Sequence, residues 1–171
     1  MEYRYSSPLG ELRLTSDGEA LTGLWFTGQR HAPEKSKSPE QETLQSNRLP
    51  PTIEMAIQWL DVYFSGQAPG FTPPLHMAGT PFQKAVWELL LTIPYGQTRS
   101  YGALAAQLAE KPGISRMAAQ AVGGAVGRNP ISLIVPCHRV VGANGRLVGY
   151  AGGLDRKAKL LALERKEDER T

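Results

Sequence analysis

The chain has 171 residues, which suits one ordinary domain or two small ones and excludes a large multidomain enzyme. Hydrophobic residues make up 41% and charged residues 20%, enough apolar material for a core, so wholesale disorder is excluded. The formal net charge is only +3, but it conceals two halves of opposite sign: residues 1–79 carry 6 basic and 9 acidic side chains, residues 80–171 carry 13 and 7.

Met1 to Gly10 lacks the apolar core of a signal peptide, and no run approaches the roughly 18 apolar residues of a membrane span. A cytoplasmic location is expected. Tyr3–Ser6, Glu11–Thr15 and Ala20–Phe26 are short strand candidates, separated by Ser7-Pro8-Leu9-Gly10 and Ser16-Asp17-Gly18, and they predict an antiparallel meander. Thr27–Pro51 is polar, rich in Pro, Ser, Gln and Glu, and reads as a surface loop. Ile53, Ala56, Ile57, Leu60, Tyr63 and Phe64 recur at helical spacing and should cover the sheet. Three prolines and two glycines in Gly66–Pro74 end this first unit, in which nothing looks catalytic.

Thr80-Pro81-Phe82-Gln83 carries a cap threonine, a proline at the first helical position and a glutamine placed to close a capping box. The helix it starts should run to about Ile93, before Pro94-Tyr95-Gly96. Ser100 can cap a second helix, Tyr101–Leu108, and Ser115 a third, running to about Val126 after the loop Glu110–Arg116. Two short helices joined by a turn form a helix-turn-helix pattern in a segment, Thr80–Leu163, whose 10 basic residues face only Glu88, Glu110 and Asp155. Such a field attracts a polyanion, although a solvated basic face without a ligand is an equal reading of the charge alone. Ala118, Ala119, Ala121, Gly123, Gly124 and Ala125 leave the third helix almost without side-chain bulk. Each internal glycine costs about 1 kcal/mol relative to alanine. Close approach of another backbone would offset this, whether a neighbouring helix or the sugar-phosphate chain of a nucleic acid.

Asn129-Pro130 ends that helix, and Ile131–Val135 reads as a buried strand with Cys137 at its end. A lone cysteine is often an inert small hydrophobe. This one follows Pro136 and precedes His138 and Arg139, cationic neighbours that would ease ionisation of a thiol whose unperturbed pKa of about 8.5 makes the thiolate cost roughly 2 kcal/mol at neutral pH. Adjacent residues of a strand point to opposite faces, so contact between Cys137 and His138 needs a bridging water or a bent backbone. An imidazole base also needs a carboxylate to fix its tautomer. After the turn Gly142-Ala143-Asn144-Gly145, a last helix opens at Gly152-Gly153-Leu154 with Leu154, Ala158, Leu160 and Leu161 expected inward, Glu164 one step further near that buried face, and a frayed tail from Arg165. The single cysteine excludes an internal disulfide or a multi-cysteine zinc or iron–sulfur site, and His31, His76 and His138 are too scattered for a ligand cluster. No metal or other cofactor is expected.

Thr80-Pro81-Phe82-Gln83, Ile93-Pro94-Tyr95-Gly96, Ser100-Tyr101-Gly102, Ala121-Val122-Gly123-Gly124-Ala125, Asn129-Pro130, Ile134-Val135-Pro136-Cys137-His138-Arg139-Val140 and Gly149-Tyr150-Ala151-Gly152-Gly153 together resemble the O6-alkylguanine-DNA alkyltransferase family. The resemblance spans residues 79–164, and the first half is similar only loosely, to that family's α/β N-terminal domain. It implies a small antiparallel sheet plus helix, ribonuclease H-like, over residues 1–78. A mostly α, winged-helix or helix-turn-helix-like domain would follow over residues 79–171. The implied function is direct damage reversal. An O6-alkylated guanine, with O4-alkylthymine as a second candidate lesion, is extruded from duplex DNA, and its alkyl group moves irreversibly onto the protein's own cysteine.

Carried onto this chain, the resemblance makes Cys137 the alkyl acceptor, His138 its base through a water that Asn129 helps to hold, and Glu164 the group orienting His138. Tyr101 would face the extruded base and assist departure of guanine, while Val140, Tyr150, Ala151 and Gly152 would line the base pocket. The family sets its recognition helix in the minor groove, only about 6 Å wide, so Arg116, Ala119, Gln120, Ala121, Gly123, Gly124 and Arg128 become the DNA-binding set. Many relatives carry an arginine where this chain has Gln120, and the loop Glu110–Arg116 is longer here. A monomer with no obligate protein partner is expected. The rival readings are a lesion-recognising module without transfer, which Cys137 argues against, a helix-turn-helix transcription factor with an inert thiol, and a cysteine hydrolase.

Overall fold

A computed structural model of the protein describes residues 2–32, 49–110 and 119–168. Strands β1 (Glu2–Ser7), β2 (Gly10–Ser16) and β3 (Leu21–Phe26) form the expected antiparallel meander in the order β1-β2-β3. Gly10 and Gly18 turn the chain at φ +125° and +95°, and the Asp17 carboxylate accepts the N–H groups of Glu19 and Ala20 in the second turn. Alternation buries Leu12, Leu14, Leu24 and Phe26 completely. Helix α1 (Pro51–Phe64) lays Ile53, Ala56, Leu60 and Tyr63, all fully buried, into the same core. Most of the Thr27–Pro51 loop, residues 33–48, lies outside the described residues, and its last residue begins α1.

The outer edge of β3 is closed by backbone from beyond the sheet. Leu21 N–H donates to Pro74 O (2.8 Å) and Leu21 O accepts from His76 N–H (2.9 Å). Leu24 N–H donates to Pro130 O and Leu24 O accepts from Ser132 N–H, both at 2.9 Å. The second half is therefore fastened, main chain to main chain, to the first at the segment that leads to Cys137. Gln29 adds a side-chain tie, accepting from Phe26 N–H and bonding Ser132 Oγ.

Helix α2 (Pro81–Leu90) starts in a complete capping box: Gln83 N–H donates to Thr80 Oγ1 and Thr80 N–H to Gln83 Oε1. It stops at Leu90, three residues short of the expected Ile93, because Thr92 and Ile93 fold back onto Leu89 and Leu90 and so turn the Ile93 carbonyl toward the site. A short strand β4 (Arg99–Ser100) precedes α3 (Tyr101–Ala109), where Ser100 caps as expected by accepting Ala103 N–H. Helix α4 (Ala119–Gly127) packs on α2 and α3 through Val122, Ala125 and Val126, and buried Trp87 donates to Ala125 O at 2.9 Å. Ser115, Arg116 and the loop before α4 lie outside the described residues.

Two expectations fail near Cys137. Residues Ile131–Val135 are not a strand: only Ile131 pairs, with Leu24, and the chain then turns through Leu133 at φ +71°. Cys137 consequently lies not at a strand end but in a 3-10 turn, Cys137–Arg139, followed by β5 (Val140–Val141), which pairs in parallel with β4. Helix α5 (Leu154–Asp168) also differs. Leu154 is 47% exposed and Ala158 is exposed, whereas Lys157, Leu160, Leu161 and Glu164 form the buried stripe at i, i+3, i+4 and i+7. The helix continues past Arg165 instead of fraying there, and residues 169–171 lie outside the described residues. Among the described residues no helix is long and apolar enough to cross a membrane.

Replacing Thr80 by alanine removes the acceptor that fixes the α2 start and is expected to lower unfolding free energy by about 1 kcal/mol. Denaturant titration checks this; an unchanged midpoint would show the cap to be dispensable.

Candidate active site

A leucine in the left-handed region is sterically unfavourable. Leu133 is held there by complete burial and by the pairing of its neighbours with β3. The turn delivers Pro136 and then a bent Cys137–Arg139 backbone, in which Arg139 N–H donates to Pro136 O at 3.0 Å. The bend replaces the strand geometry that would have sent His138 and Arg139 to opposite faces, and both reach the same carboxylate.

That carboxylate, Glu164, is 1% exposed and takes four donors from three segments. His138 Nε2 and the Tyr63 hydroxyl (2.7 Å) share Oε2; Arg139 Nε (2.7 Å) and the Gly96 N–H (3.1 Å) share Oε1. Burial alone would raise its pKa, but the hydrogen bond and charge of His138, the Arg139 charge and the Tyr63 hydrogen bond overcome this and hold it at about 2. Arg139 does not face the thiol, as its position beside Cys137 suggested. Its Nη1 donates to Ile93 O at 2.7 Å and its guanidinium lies over the Tyr95 ring.

With Glu164 ionised, His138 Nε2 is the protonated nitrogen, and Nδ1 is left buried with no hydrogen-bond partner among the described residues. Burial lowers the imidazole pKa, and the charges of Arg139 and Lys157 push the same way against the pull of Glu164, so His138 rests neutral. Cys137 is 5% exposed. Burial raises its pKa, opposed by a hydrogen bond from Asn129, the Lys157 charge and the backbone N–H groups of Cys137 and His138. The resting group is a thiol, and a base must take its proton before it can act as a nucleophile. Asn129 is tied down as well, donating to Val135 O (2.7 Å) and accepting Ile131 N–H (2.9 Å).

Sequence reasoning missed Lys157. Its ammonium is buried, pairs with no carboxylate among the described residues, and donates to the carbonyls of Val140 and Gly149, the latter at 3.0 Å. Those acceptors sit on β5 and on the segment carrying Tyr150, so one side chain ties the two together. The spacing Lys157, Leu160, Leu161, Glu164 is a signal that finds it once a charged residue is allowed on a buried stripe. Burial lowers the Lys157 pKa while a negative charge on Cys137 would raise it.

The remaining candidates divide into two groups. Tyr101 donates to Val148 O at 3.2 Å, its phenol raised by burial and by the Cys137 charge. Val140 is fully buried, and the Tyr150 hydroxyl is buried without a partner among the described residues. Ala151 O accepts the Arg30 N–H, and a Cβ on Gly152 would meet Tyr150 at 2.8 Å and Phe26 at 3.2 Å, so only glycine lets Tyr150 stay where it is. Of these, Tyr101 and Tyr150 are near enough to Cys137 for a charge on its sulfur to act on their phenols. Gln120, Ala121, Gly124 and Arg128 instead form the exposed side of α4, opposite Val122, Ala125 and Val126. Gly123 lies against the Tyr101 ring, a Cβ on Gly124 would meet nothing within 4 Å, and Ala119 opens the helix. Internal packing thus uses half of the small-residue helix and leaves the other half open. Among the described residues no three His, Cys, Asp or Glu side chains gather to hold a metal.

Residues 2–77 match the model of the 6-O-methylguanine DNA methyltransferase ribonuclease-like domain and residues 81–166 that of the 6-O-methylguanine DNA methyltransferase DNA binding domain. A methylated-DNA–protein-cysteine methyltransferase of Mycobacterium leprae is 47% identical over 160 residues, 93% of this chain and 88% of that protein. One of Methanosarcina acetivorans is 42% identical, covering 94% and 95%. The crystal structure of Mycobacterium tuberculosis OGT in complex with DNA superposes with a TM-score of 0.78 at 43% identity, covering 95% of this chain and 91% of that one.

The depressed pKa of Glu164 contributes stability that is fully present above the ordinary carboxylate value of 4.5 and is lost as pH falls towards about 2. Unfolding free energy should therefore drop over that interval, and Glu164→Gln should flatten the drop while destabilising the protein at neutral pH. Denaturant midpoints measured from pH 6 down to about 2.5 check this; parallel curves for the two proteins would contradict it.

Proposed function

The chain belongs to the 6-O-methylguanine DNA methyltransferase family, and from that membership we propose a mechanism in which each buried group of the site has one task. The activity is that of a methylated-DNA–protein-cysteine methyltransferase, a DNA repair activity acting by direct damage reversal. The chain binds duplex DNA as a monomer in the cytoplasm, through the open side of α4. Small side chains there fit a minor groove about 6 Å wide, and the basic second half supplies the attraction to phosphate.

An O6-alkylguanine is extruded from the stack, at a cost of a few kcal/mol that is least for a weakened pair, into the space walled by Val140, Tyr150, Ala151 and Gly152. O4-alkylthymine is a second lesion that this space would admit. His138 Nδ1 accepts the Cys137 proton through a water that Asn129 helps to hold, and Glu164 keeps the imidazole in the required tautomer. The sulfur attacks the alkyl carbon; a carbon–sulfur bond forms as the carbon–O6 bond breaks. Tyr101 protonates the departing guanine. The thioether is stable, so each molecule acts once.

The observation that supports this reading best is a buried, neutral thiol next in the chain to an imidazole whose Nε2 is held by a saturated carboxylate and whose Nδ1 has no hydrogen-bond partner among the described residues. A transcription factor has no use for that arrangement. Incubation with a duplex holding one O6-methylguanine should raise the protein's mass by one methyl group, with no gain for Cys137→Ser. Tight binding with unchanged mass would instead identify a recognition module.

Gln120, exposed on α4, is shorter than the arginine of many relatives at this place and carries no charge. Gln120→Arg should tighten binding to methylated duplex or speed transfer modestly, as read by single-turnover rates and by titration. Equality with the native chain in both would refute a role for this position in holding the methylated duplex.

A further inference from the structure

The first half of the chain places one side chain inside the reaction machinery. Tyr63 of α1 is fully buried, its hydroxyl 2.7 Å from Glu164 Oε2 and 3.4 Å from His138 Nε2. Its ring is fixed on several sides. Trp59 stacks on it at 5.2 Å and 8°, while Phe64, Tyr95 and His138 meet it edge-on. A core tyrosine needs only some acceptor for its hydroxyl. This one uses the single oxygen that also receives the His138 proton donor.

We infer that Tyr63 is a positioning residue of the transfer reaction: by sharing Glu164 Oε2 with His138, its hydroxyl limits how strongly the carboxylate draws on the imidazole and so keeps His138 a neutral base. The inference rests on the proposed role of His138. An oxygen that serves two donors gives less to each, and a weaker pull leaves imidazolium less favoured. Burial and the Glu164 charge hold the Tyr63 phenol well above its ordinary value, so it remains a donor wherever the protein is folded. The other charged or titratable groups facing the His138–Glu164 pair are Cys137 and Arg139 on the same turn, Lys157 on α5, Tyr95 and the Gly96 N–H after α2, and Tyr150. All of them survive a change confined to the Tyr63 oxygen.

Tyr63→Phe in the full chain removes that oxygen and keeps the ring. Its single-turnover rate on O6-methylguanine duplex should fall up to about threefold on the acid limb of the pH profile, the limb moving up by about half a unit, with the rates converging at neutral and higher pH. Site-specific 3-fluorotyrosine at position 63, a stronger donor of nearly the same shape, should move the limb the other way. A rate loss with the limb unmoved, or superimposable profiles, overturns the inference. Imidazole nitrogen NMR of free protein follows the His138 titration without any transfer: an upward shift in Tyr63→Phe supports the role and an unshifted titration refutes it. If the native chain acquires no methyl group, the proposed function fails while this titration still decides what Tyr63 does.

Discussion

A carboxylate buried at 1% exposure is tolerable only if its charge is answered from every side, and Glu164 is answered by α1, by the turn after α2 and by two residues of the Cys137–Arg139 turn. The partners belong to three separate stretches of chain, so the ion cannot exist until those stretches have met. The geometry of the nucleophile follows from that meeting. Arg139 and His138 can both grip Glu164 only if the backbone after Pro136 bends, and that bend sets where Cys137 stands.

Electrostatics inside the site are asymmetric. Glu164 balances Arg139, but among the described residues Lys157 is buried with carbonyl partners alone, which leaves the described groups of the resting site with an excess positive charge. Burial raises the thiol pKa, and Lys157 opposes it. The missing counter-charge is the thiolate itself. Ionisation of Cys137 is thus disfavoured by the medium and favoured by the charge balance, which suits a nucleophile that should be unreactive until a substrate and a base cooperate.

Features decided locally were legible in the sequence. The meander turns, the Thr80 capping box, the Ser100 cap and the apolar stripe of α1 each depend on residues a few positions apart. What misled was tertiary. Ile131–Val135 has the composition of a buried strand, yet its hydrogen bonds are made at one point on β3 and its direction is reversed at Leu133. In α5, hydropathy sent Leu154 and Ala158 inward and passed over Lys157; the carbonyls that await the ammonium come from β5 and from Val148–Gly149, which no helical periodicity reveals. Cys137, His138, Glu164, Asn129 and Tyr101 were found as a set through resemblance, whereas Tyr63 looked like one more core aromatic because its partners lie 75 and 101 residues away.

The seam on β3 joins the two halves through Leu24, Pro130 and Ser132 by main-chain groups. Main-chain groups are the one part of a protein that substitution leaves alone. Side chains around such a seam can drift while the segment feeding the reactive turn stays anchored. The fold is in this sense tolerant by construction, because its most exacting alignment is written in atoms that every residue except proline shares.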